Sequence, residues 1–197
     1  MKRYWLFGLL AALFISCAGS LTGEISASPE LKAKPPKTYA MLPFEMRLSP
    51  ELSTISIKDA LKYPNAPANM SDAFETAFLE AGLRLVERTR LEAAIKELAF
   101  ANSGFTTDDG VKLGKLVSAD AILIGTITAY HQGGFGKKPT IVSVSVKTID
   151  VESGTILWKG QATFKGPPIG KDFGADPSQV AARVAKKLLQ ELVAQKP

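Results

Sequence analysis

The sequence predicts an α/β fold: a single α/β sandwich domain with a mixed sheet, antiparallel hairpins in its C-terminal half, and flanking helices. Three observations carry this. Apolar residues recur at helical spacing in several separated stretches, each bounded by a cap or a glycine stop. The segment ADAILIGTITAY, residues 119–130, is apolar on both faces, as a central strand buried between two layers must be. Two later segments, residues 140–151 and 155–164, alternate apolar and polar side chains and are joined by Glu152-Ser153-Gly154, a turn sequence.

The elements follow in order. TYAMLPFE, residues 38–45, reads as a short apolar strand stopped by Pro43. Residues 46–69 contain Pro50, Pro64 and Pro67 and no sustained period. A structureless loop of that length is uncommon in a compact domain, so a short helix is expected near residues 57–62. MSDAFETAFLEAG, residues 70–82, puts Phe74, Ala77, Phe78 and Ala81 on one helical face and stops at Gly82. LRLVER, residues 83–88, reads as a strand. Thr89 and Glu92 have capping-box spacing and open a helix through Leu91, Ala94, Ile95 and Leu98 to about Gly104. Thr106 to Asp109 repeats that cap before a helix carrying Val111, Leu113, Leu116 and Val117.

Beyond the central strand, Val142, Val144 and Val146 should face the core, and Ser143, Ser145 and Lys147 water. In the next strand Ile156, Trp158, Ala162 and Phe164 should point inward. Asp176-Pro177, an N-cap followed by proline at the first helical position, opens the last helix. Its buried face is Val180 (or Ala181), Val184, Leu188 and Leu192, leaving Arg183, Lys186, Lys187 and Glu191 in water. The resulting order is β-α-β-α-α-β-β-β-α.

The N-terminus has a different character. Met1-Lys2-Arg3 is a positive stretch, and residues 4–15 are uniformly apolar and uncharged. That run is shorter than the ~20 residues of a membrane span and suits the apolar region of a signal peptide. The only cysteine, Cys17, follows at once. A small residue followed by cysteine after such a run resembles a bacterial lipoprotein signal, although Phe14 stands where that signal usually has an aliphatic residue. The resemblance implies cleavage after Ser16, a diacylglycerol on the Cys17 thiol with fatty-acyl chains such as palmitate, and membrane attachment through that lipid. Ala18 rather than Asp in the next position implies sorting to the outer membrane, with the domain facing the periplasm. The alternative is an ordinary secretory signal with an incidental cysteine. Residues 18–37 are small, polar and proline-containing, the composition of a flexible tether. Extended, such a segment reaches at most ~70 Å, and as a coil nearer ~25 Å. The expected organisation is therefore a signal peptide over 1–16, a lipidated N-terminus and tether over 17–37, and the domain over 38–197.

Composition narrows the chemistry. The net charge of +5 is a lysine excess spread along the chain, without the dense basic stripe a nucleic-acid surface needs. With its only cysteine read as acylated, the chain has no thiol to pair with its one histidine, His131, as a Cys/His nucleophile, and one histidine cannot build a histidine-rich metal site. GGFGKKP, residues 133–139, lacks both the glycine spacing and the Ser or Thr of a phosphate loop, and reads as a hairpin connection. His131, Phe135, Lys137 and Lys138 around this tip are candidates to touch a partner or a headgroup. Asp150-Val151-Glu152 offers too few oxygen ligands for calcium and reads as a turn. No catalytic residue, cofactor site or metal site is expected, and the protein is read as a non-enzyme.

AMLPFE, an amphipathic helix, LVERTRLEAAIKEL, LGKLVSADAILIGTI and VKTIDVESGTILW occur in that order between residues 40 and 158, within a likeness that covers roughly residues 39–193. This arrangement resembles the CsgG superfamily of bacterial envelope lipoproteins, which includes the curli secretion channel subunit and shares its fold with the penicillin-binding-protein activator LpoB. Glu87-Arg88, Ala119-Asp120 with Gly125, and Asp150 with Ser153-Gly154 and Trp158 carry most of the resemblance. It implies a CsgG/LpoB-like domain that binds or scaffolds in envelope or surface-structure assembly, with an envelope protein, a further copy of itself or a peptidoglycan synthase as partner. Activation of a synthase, or a place in a curli-type secretion channel complex, are the alternatives it leaves open. Channel members carry a pair of membrane-spanning hairpins per subunit. Here residues 131–139 and 166–175 are each too short to hold two strands of about 9–11 residues.

Overall fold

The computed structural model describes residues 18–47, 61–97, 106–135, 138–167, 169–170 and 172–195. Within them the chain enters the fold at once. β1 (Ser20–Ala27) pairs antiparallel along its length with β7 (Ile156–Lys165), from Ser20 opposite Lys165 to Ala27 opposite Trp158. A short helix, α1 (Pro29–Ala33), follows and buries Leu31. Residues 20–33 are thus part of the domain and not the flexible tether expected over 17–37, and the domain does not begin at residue 38. Small, polar composition hid a period of two: Leu21, Ile25 and Ala27 pack against the core, while Ser20, Thr22, Glu24 and Ser26 face out.

β2 (Thr38–Met41) ends before Pro43, yet the chain rejoins the sheet as β3 (Glu45–Met46), both strands running parallel to β5 (Ala121–His131). Next comes α2 (Ala66–Glu80), which starts earlier than residue 70 because Pro67 fits a first-turn position. Of the short helix expected near 57–62, residues 57–60 lie outside the described residues, and Leu61 and Lys62 are helical. β4 (Arg84–Leu85) is all that LRLVER contributes as strand. Then follow α3 (Arg88–Glu97), α4 (Thr107–Val117), β6 (Ile141–Asp150) and α5 (Pro177–Ala194). The extension of α3 toward Gly104 lies outside the described residues.

The sheet order is β1-β7-β6-β5-β2-β4, antiparallel from β1 to β5 and parallel among β5, β2 and β4. α2 and α5 cover one face, in a core with Phe74, Phe78, Trp158, Phe164, Val184 and Leu188. α3 and α4 cover part of the other, around Leu42, Leu91, Leu113 and Ile122. Val142, Val144 and Val146 are buried as expected. Ser143 is buried too, its hydroxyl hydrogen-bonded to that of Thr163 at 2.8 Å. Ile156 faces outward, contrary to the alternation. Thr148 lies opposite Trp158 but Ile149 opposite Ile156, so Leu157 is an extra bulge residue, and its buried side chain takes the place expected for Ile156.

The caps divide in the same way. Thr106 and Asp109 form the reciprocal capping box at the start of α4. Leu113 and Val117 of that helix are buried while Leu116 stays exposed. The box expected from Thr89 and Glu92 is replaced by Glu87, whose carboxylate accepts from the Thr89 and Arg90 N–H groups and the Thr89 hydroxyl. Thr89 is already inside the helix, so the residue before Arg88 supplies the acceptor. Asp176 caps α5 by accepting from Ser178 N–H at 2.9 Å.

Candidate functional site

The sequence motifs converge on one end of the sheet, where they hold backbone. Asp120, at the start of β5, accepts the N–H groups of Lys37 and Thr38 at 2.9 and 2.8 Å and so fixes the start of β2. Asp150 closes the β6–β7 hairpin by accepting from Glu152 N–H, Ser153 N–H and the Ser153 hydroxyl. Partial burial works to raise this carboxyl, but those hydrogen bonds and the Lys34 charge hold it below the usual range. Gly154 follows with φ of 73°, a conformation glycine adopts freely. Val151 donates its N–H to the Asp120 carbonyl, tying the two turns together.

The remaining motif residues act similarly. Arg88 crosses from α3 to α2, reaching Asp72 at 2.9 Å and Glu75 at 3.3 Å. Gly125 lies under the ring of Phe44, where a Cβ would stand 2.1 Å from a ring carbon. Trp158 is buried in the core, not offered as a ligand platform. Beside Asp120 and Asp150 lies a cleft of about 460 Å³, rimmed by Lys34, Lys37, Lys115 and Glu152. Its two aspartates are already engaged by backbone and Lys34 is paired with Glu152, so the arrangement braces turns and presents no free acid–base pair. Among the described residues, no three His, Cys, Asp or Glu side chains converge as metal ligands.

The opposite end of the sheet gathers the contact candidates. His131, Ile141, Lys165 and Ser20 stand in one row across β5, β6, β7 and β1. His131 is half-buried at the last position of β5. Beyond the row, Phe135 is 92% exposed and Lys138 is exposed at the β5–β6 connection. Lys137 and the expected lipid attachment point Cys17 lie outside the described residues.

The connection is held by the β7–α5 loop beside it. Gln132 Nε2 donates to the Gly174 carbonyl at 3.2 Å, Thr140 Oγ1 to the Ala175 carbonyl at 3.1 Å, and Gly166 N–H to the Thr140 carbonyl at 2.7 Å. Gln132 N–H also donates to the Tyr63 hydroxyl, whose ring meets Tyr130 edge-on at 5.5 Å.

Sequence reasoning missed the residue that organises this end. Asp172 accepts the Gly19 N–H at 2.9 Å and pairs with Arg183, while Arg183 stacks on the Phe164 ring at 4.7 Å. An acceptor 153 positions from its donor leaves no local trace. Ile169, in the same loop, is exposed, and nothing in its sequence neighbourhood marks it.

The family model described as curli production assembly/transport component CsgG matches residues 47–163. A search of curated proteins returned no match. Among solved structures, the PelC dodecamer from Paraburkholderia phytofirmans is similar at 17% identity and a TM-score of 0.54, over 90% of this chain and 99% of that one. Lipoprotein GNA1162 from Neisseria meningitidis matches at 17% identity and a TM-score of 0.48, over 81% of this chain and 100% of that one. The C-terminal domain of LpoB from Escherichia coli matches at 18% and 0.39, over 64% and 81%. The last two, below a TM-score of 0.5, add nothing to the fold assignment. The PelC likeness is one of fold, and with a family match over more than half of its length this chain belongs to the CsgG family.

Proposed function

We propose that the protein is an outer-membrane lipoprotein, anchored through Cys17 and facing the periplasm, that serves as a non-catalytic scaffold in envelope or surface-structure assembly. The observation that carries this reading is the position of β1. With Ser20 already paired in the sheet, Cys17 stands only three residues before it, and an anchor there holds the domain at the membrane. That geometry disfavours an activator that must reach a peptidoglycan synthase across the periplasm. Residues 20–33, counted on for reach, are folded. The secretion-channel alternative is disfavoured by length. The segments between β5 and β6, and between β7 and α5, cannot hold a spanning hairpin.

The dodecamer formed by the PelC structure supports a scaffold that works as a homo-oligomer. Cys17→Ala should abolish incorporation of radiolabelled fatty acid and move the protein from the membrane to the soluble periplasmic fraction. Membrane retention of that variant would refute the anchor. Purified lipoprotein should give no conductance steps in a planar bilayer.

A further inference from the structure

We propose that the end of the sheet bearing the β5–β6 and β7–α5 loops lies against the lipid surface, with Phe135 and Ile169 inserted at its headgroup boundary. This deepens the anchored-scaffold reading and rests on it for the source of the membrane. Phe135 and Ile169 are 92% and 64% exposed, in two neighbouring loops held together by hydrogen bonds through Gln132 and Thr140. Leu61, 76% exposed, lies two residues before Tyr63, which docks on the same connection. Apolar side chains so exposed on braced loop tips are costly in water and suit an interfacial site.

The chain end decides what covers them. Gly19 is tied to Asp172, in the loop that carries Ile169, so the polypeptide leaves the domain among these same tips. From Gly19 to Cys17 an extended chain reaches only about 7 Å. β1 alone is about 26 Å long at ~3.3 Å per residue, so a lipid at Cys17 cannot bring the far end of the sheet to a bilayer that the loop end does not also meet. Charge agrees. Lys165 is exposed at this end, suited to an anionic headgroup. Of the acidic groups nearby, Asp172 is paired with Arg183 and Asp176 is engaged as the α5 cap.

The test uses Phe135→Trp in the full lipoprotein, reconstituted in phosphatidylethanolamine–phosphatidylglycerol vesicles with and without brominated acyl chains. Glu152→Trp, at the opposite end of the sheet, is the comparison, and the parent protein supplies the background from buried Trp158. The expected result is a blue shift and loss of most of the added emission for Phe135→Trp, with Glu152→Trp unquenched. Equal quenching at the two sites, or none at Phe135→Trp, would overturn the proposal. The latter is what a protein partner covering the tip would give. Intact mass reports separately whether Cys17 is acylated. If it is not, the same unique thiol can be coupled to a maleimide-headgroup lipid and the comparison repeated, so failure of the anchor and failure of the orientation give different results.

Discussion

Single residues in this protein are judged by what they brace. Gly125 has the aromatic face of Phe44 in the space of a side chain, and Phe44 is itself buried. Gly125→Ala should therefore destabilise the fold by about 1–3 kcal/mol, the usual cost of overpacking, measured as a lower urea midpoint at unchanged slope. Thr106→Ala removes the hydroxyl that accepts the Asp109 N–H, and should cost about 1 kcal/mol in the same assay. The carboxylates at the helix starts make a pH prediction. Hydrogen bonds from the Thr89 side chain and from the Thr89 and Arg90 backbone hold Glu87 below its ordinary range, and the Thr106 hydroxyl does the same for Asp109. A depressed carboxyl contributes stability above its unfolded pKa, near 4, and loses it as pH falls through the lower folded value. Stability should thus decline below about pH 4, and Glu87→Gln or Asp109→Asn should flatten that decline in denaturation curves taken from about pH 5 to 2. Glu75 works in the opposite sense. Burial raises it against the charge of Arg88, so its protonation on acidification relieves a cost.

At the scale of elements, β1 and its latch are the part most open to test. In β1 the alternate amides that face β7 should show slowed exchange, as paired strand groups do, whereas a tether would exchange throughout at the rate of free chain. Asp172→Asn removes the charge that binds Arg183 and weakens acceptance of the Gly19 N–H. It should speed exchange at the start of β1 while leaving β5 and β6 protected. The helices and central strands were legible because their signals are local. The run ADAILIGTITAY, the box of Thr106 and Asp109, and Asp176-Pro177 each state their structure within a few residues. β1 was not, because Leu21 and Ile25 are the only large apolar residues on its inward face, and it owes its order to the open edge of β7, more than 130 positions away. The capping role of Glu87 was missed by a shift of two residues in where α3 begins, a distance at which terminal signals overlap.

Among the described residues the two ends of the sheet are built differently. One is closed by motif residues spent on backbone; the other is built from loops, the chain end and exposed apolar tips. Light scattering of the detergent-extracted protein tests the assembly. A discrete ring-sized mass is expected from the scaffold reading, and a monomer would favour a lone adaptor. The fold class, the core faces of most long elements, the family and the cysteine that follows the apolar run could be read from the chain itself. Those properties are written in periodicity and short motifs, where each residue's neighbours in sequence carry the information. That residues 20–33 belong to the domain, that Ile156 turns outward at a bulge, and that Gly19, Phe135 and Ile169 share one end came only with the folded arrangement. Each depends on which distant strand lies alongside and how its register falls, and pairing across the sheet leaves no mark in either segment alone.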